Sequence, residues 1–300
     1  MSEGTTQDNE ARDIIPEIAR EAEEHRRAFI AEIEKQTNRH VLNYFAPATG
    51  QPGTIMFLPD IMNLTRVMVK HTGLKGVDLV LNSPGGQPEI AEKIVTMLRH
   101  FYDDDLRVIV PEYAKSAATI VCLGADEIVM GYCSELGPID PQMSYTDAKG
   151  IVTFRSAHAV IESVDSYVRA AHDAIAESKP FQAYVRLLDF HPDLTFVEEC
   201  RLAARLAEEL AQRLLKAKML RDKPHKAEEA AKALSRADRL FSHGRAIDYR
   251  FAKDELGLNI RYVPPDDELW RNVWQLHIRS SLAGVVKLIE SSERTMAFGM

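Results

Sequence analysis

Two short segments of the chain carry the residue types that acyl-transfer chemistry requires. Residues 82–86, Asn-Ser-Pro-Gly-Gly, end an apolar run with a turn whose glycines can adopt positive φ and expose their N–H groups. Residues 113–118 place one serine, Ser116, among small residues where a predicted strand passes into an apolar helix. Free amides beside such a serine can supply an oxyanion hole and a nucleophile. We therefore predict Ser116 as the nucleophile, opposite the amides of Gly85 and Gly86.

The elements around these segments predict a mostly parallel sheet. Residues 77–81 are nearly all apolar, which is typical of a parallel strand buried on both faces. Helical periodicity follows up to residue 102, then strand patterns at 107–110 and 127–130. Strands that alternate with crossover helices form an α/β fold with right-handed connections. Sites in such folds lie at the carboxyl ends of the strands, where both segments fall.

The remaining patterns divide the chain into four units. They are a disordered tail (1–12), a charged N-terminal helix (13–39), a main domain (40–265) and a C-terminal amphipathic helix with a polar tail (266–300). Within the main domain, helical periodicity at 157–188, 196–220 and 226–234 indicates an added helical region, with an insertion at about 190–235. The apolar stripe of the N-terminal helix is narrow, so we expect it on the surface or against a partner subunit.

Composition limits the classes of function. The chain has 300 residues and a net charge of −8, so bulk charge does not indicate nucleic-acid binding. Its three cysteines form no CxxC pair, and its histidines form no HxxxH or HExxH pair, so we expect no disulfide framework and no metal. No nucleotide-binding glycine motif appears, and we expect no cofactor. Without a signal peptide or a transmembrane run, the sequence predicts a cytoplasmic protein.

Four motifs in order carry a family resemblance. They are residues 82–86, 116–119, 125–130 (Ala-Asp-Glu-Ile-Val-Met) and 136–142 (Leu-Gly-Pro-Ile-Asp-Pro-Gln), with a fifth match at 252–258 (Ala-Lys-Asp-Glu-Leu-Gly-Leu). This set resembles the Clp-fold serine peptidases, in particular the serine dehydrogenase proteinases, which are related to signal peptide peptidase A. The resemblance covers about residues 40–265. It implies the ClpP/crotonase-like fold and hydrolysis of peptide or protein substrates through an acyl-enzyme.

The resemblance also assigns the roles of individual residues. Ser116 matches the nucleophile, and the N–H of Ala117 joins those of the two glycines in the oxyanion hole. Where Clp peptidases carry their histidine this chain has Asp140, and the region of their aspartate holds His243. The two partner types are thus exchanged, which a triad permits because only geometry matters. On this assignment His243 takes the proton from Ser116, and Asp140 orients the imidazole.

Two alternatives remain for the base and its partner. His243 could be a turn residue, and Asp140 could accept turn amides. The signal-peptide-peptidase branch uses a lysine whose position here falls at 156–158, which makes His158 a reserve base. Lys115, adjacent to the serine, is expected to point away toward the surface.

Two rival functions also remain. A crotonase-like acyl-CoA enzyme would use the paired amides without a nucleophilic serine. A non-catalytic scaffold would bind partners through the helical region and the N-terminal helix. Clp-fold peptidases generally assemble into rings or face-to-face oligomers, so the resemblance implies a homo-oligomer, with helices 14–36 and 196–220 as candidate surfaces.

Overall fold

A computed structural model of the chain describes residues 4–146, 149–188, 194–235 and 245–299. Its helices are α1 (Gly4–Thr37), α2 (Pro59–Val67), α3 (Pro88–Phe101), α4 (Ala117–Leu123), α5 (Ala157–Ala176), α6 (Gln182–Leu188), α7 (Leu194–Ala217), α8 (Pro224–Ser235) and α9 (Glu268–Ser281). Its strands are β1 (His40–Phe45), β2 (Val77–Asn82), β3 (Leu106–Val110), β4 (Tyr113–Ala114), β5 (Glu127–Met130), β6 (Glu135–Leu136), β7 (Gln142–Thr146), β8 (Val152–Ser156), β9 (Ile260–Tyr262), β10 (Lys287–Glu290) and β11 (Thr295–Phe298). Short 3₁₀ and π turns lie at Pro52–Thr54 and Phe251–Glu255.

A seven-stranded sheet with the order β11-β10-β1-β2-β3-β5-β9 organises the molecule. The neighbours from β1 to β9 are parallel, whereas β10 and β11 add to one edge in antiparallel orientation. Every residue of β1 and β2 is buried, because helices cover both faces of a parallel sheet. The predicted α/β class, with a mainly parallel sheet and crossover helices, is confirmed.

The two faces of the sheet carry different layers of helices. On one face, Ile30 and Ile33 of α1 join Trp270 of α9 in a cluster with Val80 and Ile109 of the sheet. The larger cluster on the other face takes residues from α2, α3, α4, α7 and α8. Ile30 and Ile33 of α1 are therefore buried in their own chain, which corrects, for this part of the helix, the expectation that its stripe lies on the surface or against a partner.

The C-terminal prediction was wrong after residue 281. The structure ends α9 at Ser281 and places β10 and β11 in the central sheet, where we expected a continuing helix and a polar tail. The segment contains the charged residues Lys287 and Glu290. Both are buried in β10, where Lys287 pairs with Asp60 and Glu290 pairs with Arg26.

Three further differences concern element boundaries. α1 begins at Gly4, so most of the predicted disordered tail is helical; Gln, Glu, Ala and Arg in this stretch favour helix. The helical block at 157–188 is two helices, because the chain turns at Ser178, where φ is 57°, just before Pro180. The β7–β8 hairpin was not predicted. No helix within the described ranges has the length and apolar character needed to cross a bilayer.

Candidate active site

Backbone hydrogen bonds hold the two predicted segments side by side. The N–H of Ser83 donates to the carbonyl of Tyr113 at 3.1 Å, and the N–H of Lys115 donates to the carbonyl of Ser83 at 3.0 Å. The side chain of Asn82 accepts from the N–H of Tyr113 at 3.2 Å. The glycine turn at the end of β2 and the serine segment after β3 thus form one unit at the carboxyl ends of the strands.

Ser116 occupies a strained corner. Its φ of 51° and ψ of −121° are unfavourable for a residue with a side chain, and α4 begins at the next residue. The strain, about 1–3 kcal/mol, persists because the surrounding backbone is hydrogen-bonded. The N–H of Ala118 donates to Lys115, and that of Ile120 donates to the Ser116 carbonyl. The site therefore holds Ser116 in a conformation that a free chain rarely adopts.

The turn approaches Ser116 so closely that only glycine fits. Gly85 has a φ of 99°, and a Cβ there would lie 2.8 Å from the Ser116 Cβ. Gly86 has a φ of 155°, and a Cβ there would overlap the carbonyl oxygen of Met56. The two glycines bring bare backbone against the serine.

The three predicted oxyanion donors differ in their bonding. The N–H of Gly85 donates to the Ser83 hydroxyl at 3.1 Å, within the turn. The Gly85 carbonyl accepts from Met56 at 2.7 Å. Among the described residues, the N–H of Gly86 takes no part in these bonds, and Ala117 is the first residue of α4, whose N–H has no carbonyl partner inside the helix. Gly86 and Ala117 therefore have the amides that a ligand could use.

A cavity of about 710 Å³ opens beside Ser116, Gly85 and Gly86. Its walls come from residues 55 and 84–89, from the segment before β7, from the β7–β8 hairpin and from α7. Its large apolar lining residues are Ile55, Ile120, Ile139, Met143, Phe154, Leu202 and Leu206. The volume is typical of a ligand pocket, and its apolar lining suits apolar side chains.

Asp140 lies at the edge of this cavity, between the lining residues Ile139 and Pro141. The carboxylate is fully buried. It accepts a hydrogen bond from the Ser156 hydroxyl at 3.2 Å and another from the Gln142 amide at 3.0 Å. These bonds orient a charge that burial would otherwise disfavour.

His243 lies outside the described residues, but the chain on either side of it is anchored beside Asp140. The carbonyl of Leu234 accepts from the N–H of Ile139 at 2.9 Å. Leu136 and Ile247 exchange two backbone bonds of 2.9 and 3.0 Å. Both flanks therefore attach to the segment that leads into Asp140.

His158 does not line the cavity beside Ser116. His158 lines a different cavity of about 510 Å³, together with Glu162, Arg201 and Glu208. Its Nε2 is buried and has no hydrogen-bond partner among the described residues. The expectation for Lys115 also needs correction: its side chain is 19% exposed and its Nζ lies 2.6 Å from Glu135, because this ion pair holds it against the protein.

A buried imidazole also lies at the carboxyl ends of the strands. His277 of α9 packs edge-on against Phe45, the last residue of β1, and its Nε2 is 3.2 Å from the carboxylate of Glu112. Burial lowers the pKa of His277 to about 4, so the ring is neutral at physiological pH. Burial, and secondarily the charge of Glu135, raise the pKa of Glu112.

Sequence reasoning missed two elements that build the site. Met56 holds the glycine turn, and the apolar run at 55–58 was a signal for it. The β7–β8 hairpin supplies Ser156 and one wall of the cavity, and the β-branched residues at 151–153 pointed to a strand there. Within the part of the chain that the structure describes, no group of three His, Cys, Asp or Glu side chains could hold a metal ion.

Two curated relatives match part of the chain, both from Methanocaldococcus jannaschii. The uncharacterized protein MJ0137 is 37% identical over 99 residues, which is 33% of this chain and 33% of that protein. The uncharacterized protein MJ1495 is 31% identical over 119 residues, which is 39% of this chain and 40% of that protein. The chain thus spans less than half the length of either relative.

Two similar solved structures are variants of the 1510-N membrane-bound stomatin-specific protease. A serine-to-alanine variant shares 16% identity and a TM-score of 0.25, covering 42% of this chain and 57% of that one. A lysine-to-alanine variant in complex with a substrate peptide shares 15% identity and a TM-score of 0.27, covering 74% and 89%. Scores this low carry no argument.

The family assignment rests on the sequence. The sequence model of the ClpP-like SDH-type serine proteinases matches residues 14–181, which is more than half of the 300-residue chain. The matched region includes the glycine turn, Ser116 and Asp140. The resemblance drawn from the motifs is confirmed, and the chain belongs to the ClpP-like SDH-type serine proteinases.

Proposed function

We propose that this protein hydrolyses peptide bonds through an acyl-enzyme formed on Ser116. The observation that carries the proposal is the close approach of the glycine turn to the strained Ser116, at the mouth of an apolar cavity. A nucleophile and backbone amides held within contact of each other can act on one substrate carbonyl. Because the chain belongs to a serine proteinase family, we infer that the substrate carbonyl is that of a peptide bond.

In the first half of the reaction, the Ser116 Oγ attacks the carbonyl carbon. The oxyanion is stabilised by the N–H groups of Gly86 and Ala117. The Gly85 N–H, assigned to the hole by resemblance, instead supports the turn through Ser83. His243 accepts the serine proton and returns it to the leaving amine, while Asp140 holds the imidazole in one tautomer. Water then hydrolyses the ester by the same route in reverse.

The anchoring of its flanks supports His243 as the base. His243 precedes Ile247 by four residues, and four residues span at most about 14 Å when fully extended. Since Ile247 is bonded to Leu136, four residues of chain are enough for His243 to reach the segment that carries Asp140. His158 also follows residues bonded to this segment, since the Ala157 N–H donates to the Pro141 carbonyl at 2.9 Å, but its side chain lines the other cavity and not the one beside Ser116.

The cavity suits peptide or protein substrates with apolar side chains next to the cleaved bond. Assembly into a homo-oligomer stays a prediction. The surface proposed for it is narrowed, because Leu210, Ala211 and Leu215 of α7 are buried in their own chain, as are Ile30 and Ile33 of α1.

A fluorophosphonate probe tests the nucleophile. We expect covalent labelling of the wild type and loss of both labelling and peptide hydrolysis in Ser116→Ala. Ser166→Ala, which removes an exposed serine on α5, is the matched control and keeps both activities. A wild type that is never labelled favours the scaffold. Unchanged turnover in Ser116→Ala favours the crotonase-like reaction, and either result overturns the proposal.

Kinetics of three variants test the base. His243→Ala and Asp140→Asn are each expected to lower kcat by about 10³–10⁴-fold, as in other triads. His158→Ala is expected to keep wild-type kcat. An inactive His158→Ala beside an active His243→Ala would transfer the role to His158.

A further inference from the structure

A buried ion pair lies behind the glycine turn. The Nζ of Lys287, the first residue of β10, donates to both carboxylate oxygens of Asp60 at 2.8 Å and to the carbonyl of Ile55 at 2.9 Å. Both side chains are 1% exposed, and burial lowers the pKa of Lys287. Burying two charges costs desolvation, so such a pair is weak evidence of a stabilising role.

The pair binds the backbone on both sides of Met56. Lys287 binds the carbonyl of Ile55, and Asp60 accepts from the N–H of Phe57 at 3.0 Å. Asp60 also accepts from the Tyr44 hydroxyl at 2.8 Å. With both neighbours fixed by charged partners, Met56 has little freedom to move.

Met56 in turn sets the direction of the Gly86 amide. Its N–H donates to the Gly85 carbonyl at 2.7 Å, and its carbonyl accepts from Gln87 at 3.0 Å. Because the peptide between Gly85 and Gly86 is planar and trans, its C=O and N–H point in opposite directions. A carbonyl held toward Met56 therefore directs the Gly86 N–H away from Met56. Two adjacent glycines impose no such direction by themselves.

We propose that Lys287 is a positioning residue for the oxyanion hole. Through its pair with Asp60 it holds residues 55–57, and these hold the Gly85–Gly86 peptide with the Gly86 N–H toward the substrate oxygen. The inference rests on the proposed peptidase function. It gives a role in the reaction to a residue far outside the region of the family match, residues 14–181.

Kinetics of the full-length variant Lys287→Met test this role. Methionine keeps the length of the side chain but donates nothing to Ile55. Loss of one oxyanion donor costs about 10²–10³-fold, so a misdirected donor is expected to lower kcat by about 10–100-fold. KM is expected to stay within about twofold, because the donor acts in the transition state. Affinity for a peptide boronic acid, which forms a tetrahedral adduct, falls by the same factor as kcat.

A second buried pair on β10 provides the matched control. Glu290 lies 3.0 Å from Arg26, with side chains 0% and 5% exposed, and has no bond to residues 55–57. Glu290→Gln is expected to lose stability with unchanged kcat per folded molecule. Circular dichroism sets an assay temperature at which each variant is folded. If Lys287→Met does not fold, Asp60→Asn weakens the same bonds more gently and is expected to give the same loss of kcat without a change in KM.

The outcomes separate the two proposals. Hydrolysis by Ser116→Ala at the wild-type rate overturns the peptidase function, whatever Lys287 does. If Ser116→Ala is inactive, wild-type kcat in Lys287→Met, or in Asp60→Asn where that substitute is needed, overturns only the positioning role. An equal loss of kcat in Glu290→Gln also overturns it, because the effect would then belong to any buried charge on β10.

Discussion

The two ends of strands β2 and β3 are built in opposite ways. At the carboxyl ends the chain makes a glycine turn, a serine with positive φ and an apolar cavity. At the amino ends, the fully buried Asp78 lies between Arg39 at 2.6 Å and Arg107 at 2.9 Å, and Arg39 also binds Asp105. The carboxyl ends present backbone amides and a strained serine, whereas at the amino ends Asp78 and Asp105 each pair with an arginine.

The difference shows how a parallel sheet can carry a strained site. The same strands run from the charged network to the loops of the candidate site, so the network stabilises the sheet that carries the strained serine. Strained conformations persist only where the surrounding structure holds them. Changes at the carboxyl ends should therefore reduce activity, and changes at the amino ends should reduce stability.

The largest effect is expected from Gly86→Ala, at the carboxyl end. The new Cβ would overlap the Met56 carbonyl and displace the oxyanion donor, so peptide hydrolysis falls by about 10³-fold. Gly73→Ala is the control, because Gly73 also has positive φ but no atom within 4 Å of a Cβ there. Activity assays on both variants check this. Wild-type hydrolysis by Gly86→Ala would contradict the role of the turn.

Asp78→Asn makes the complementary change at the amino end. It leaves two mostly buried arginines without their shared charge, and removing one partner of a buried pair costs about 3–5 kcal/mol. Urea denaturation measures the loss, while kcat per folded molecule is expected to stay at the wild-type value. A loss of kcat without a loss of stability would show that the two ends are not separate in function.

The two ends are also expected to lose stability in different pH ranges. The pKa of His277 is about 4 in the folded protein and 6.5 ordinarily, so between these values only the unfolded state binds the proton. The contribution of His277 to stability therefore falls as pH drops from 6.5 to 4, by about 3 kcal/mol, and then levels off. Arg39 lowers the pKa of Asp105 below its ordinary value of 3.8. The stability that the Arg39–Asp105 pair contributes at the amino ends is therefore lost only below pH 3.8.

His277→Phe tests this assignment. Phenylalanine keeps a ring against Phe45 and does not titrate, so the slope between pH 6.5 and 4 is expected to disappear. Denaturation at a series of pH values measures it. An unchanged slope in His277→Phe would place the acid sensitivity elsewhere.

The smallest effect is expected from Tyr113→Phe. The Tyr113 hydroxyl accepts from Ala48 at 2.7 Å and donates to Ala46 at 3.3 Å, which ties the loop after β1 to the serine segment. Losing it should cost about 1 kcal/mol of stability. Tyr132→Phe, at an exposed tyrosine, is the control for thermal unfolding. Equal melting temperatures for the two variants would show that the hydrogen bonds of the Tyr113 hydroxyl do not stabilise the protein.

The alternation of strands and helices was predictable because it is local. The apolar residues of β2 indicate a strand, and the glycines beside Ser116 indicate a turn, from a few neighbouring positions alone. The β10–β11 hairpin was not predictable, because its buried charges depend on distant partners. Lys287 pairs with Asp60, 227 residues away, and Glu290 pairs with Arg26, 264 residues away. The bonding of the Gly85 amide could not be predicted either, since it depends on the rotamer of Ser83.

The position of β10 has a consequence for synthesis. β1 receives its antiparallel neighbour only from a strand made much later, since Asn43 and Glu290 are 247 residues apart. Contacts this distant in sequence close late, because the chain is made from its N-terminus. Ser116 is thus translated well before Lys287. On the proposed role of Lys287, the nascent chain then has the nucleophile but not yet the residue that directs the Gly86 N–H. On that role, completion of the sheet would add the roughly 10–100-fold in kcat that is assigned to Lys287.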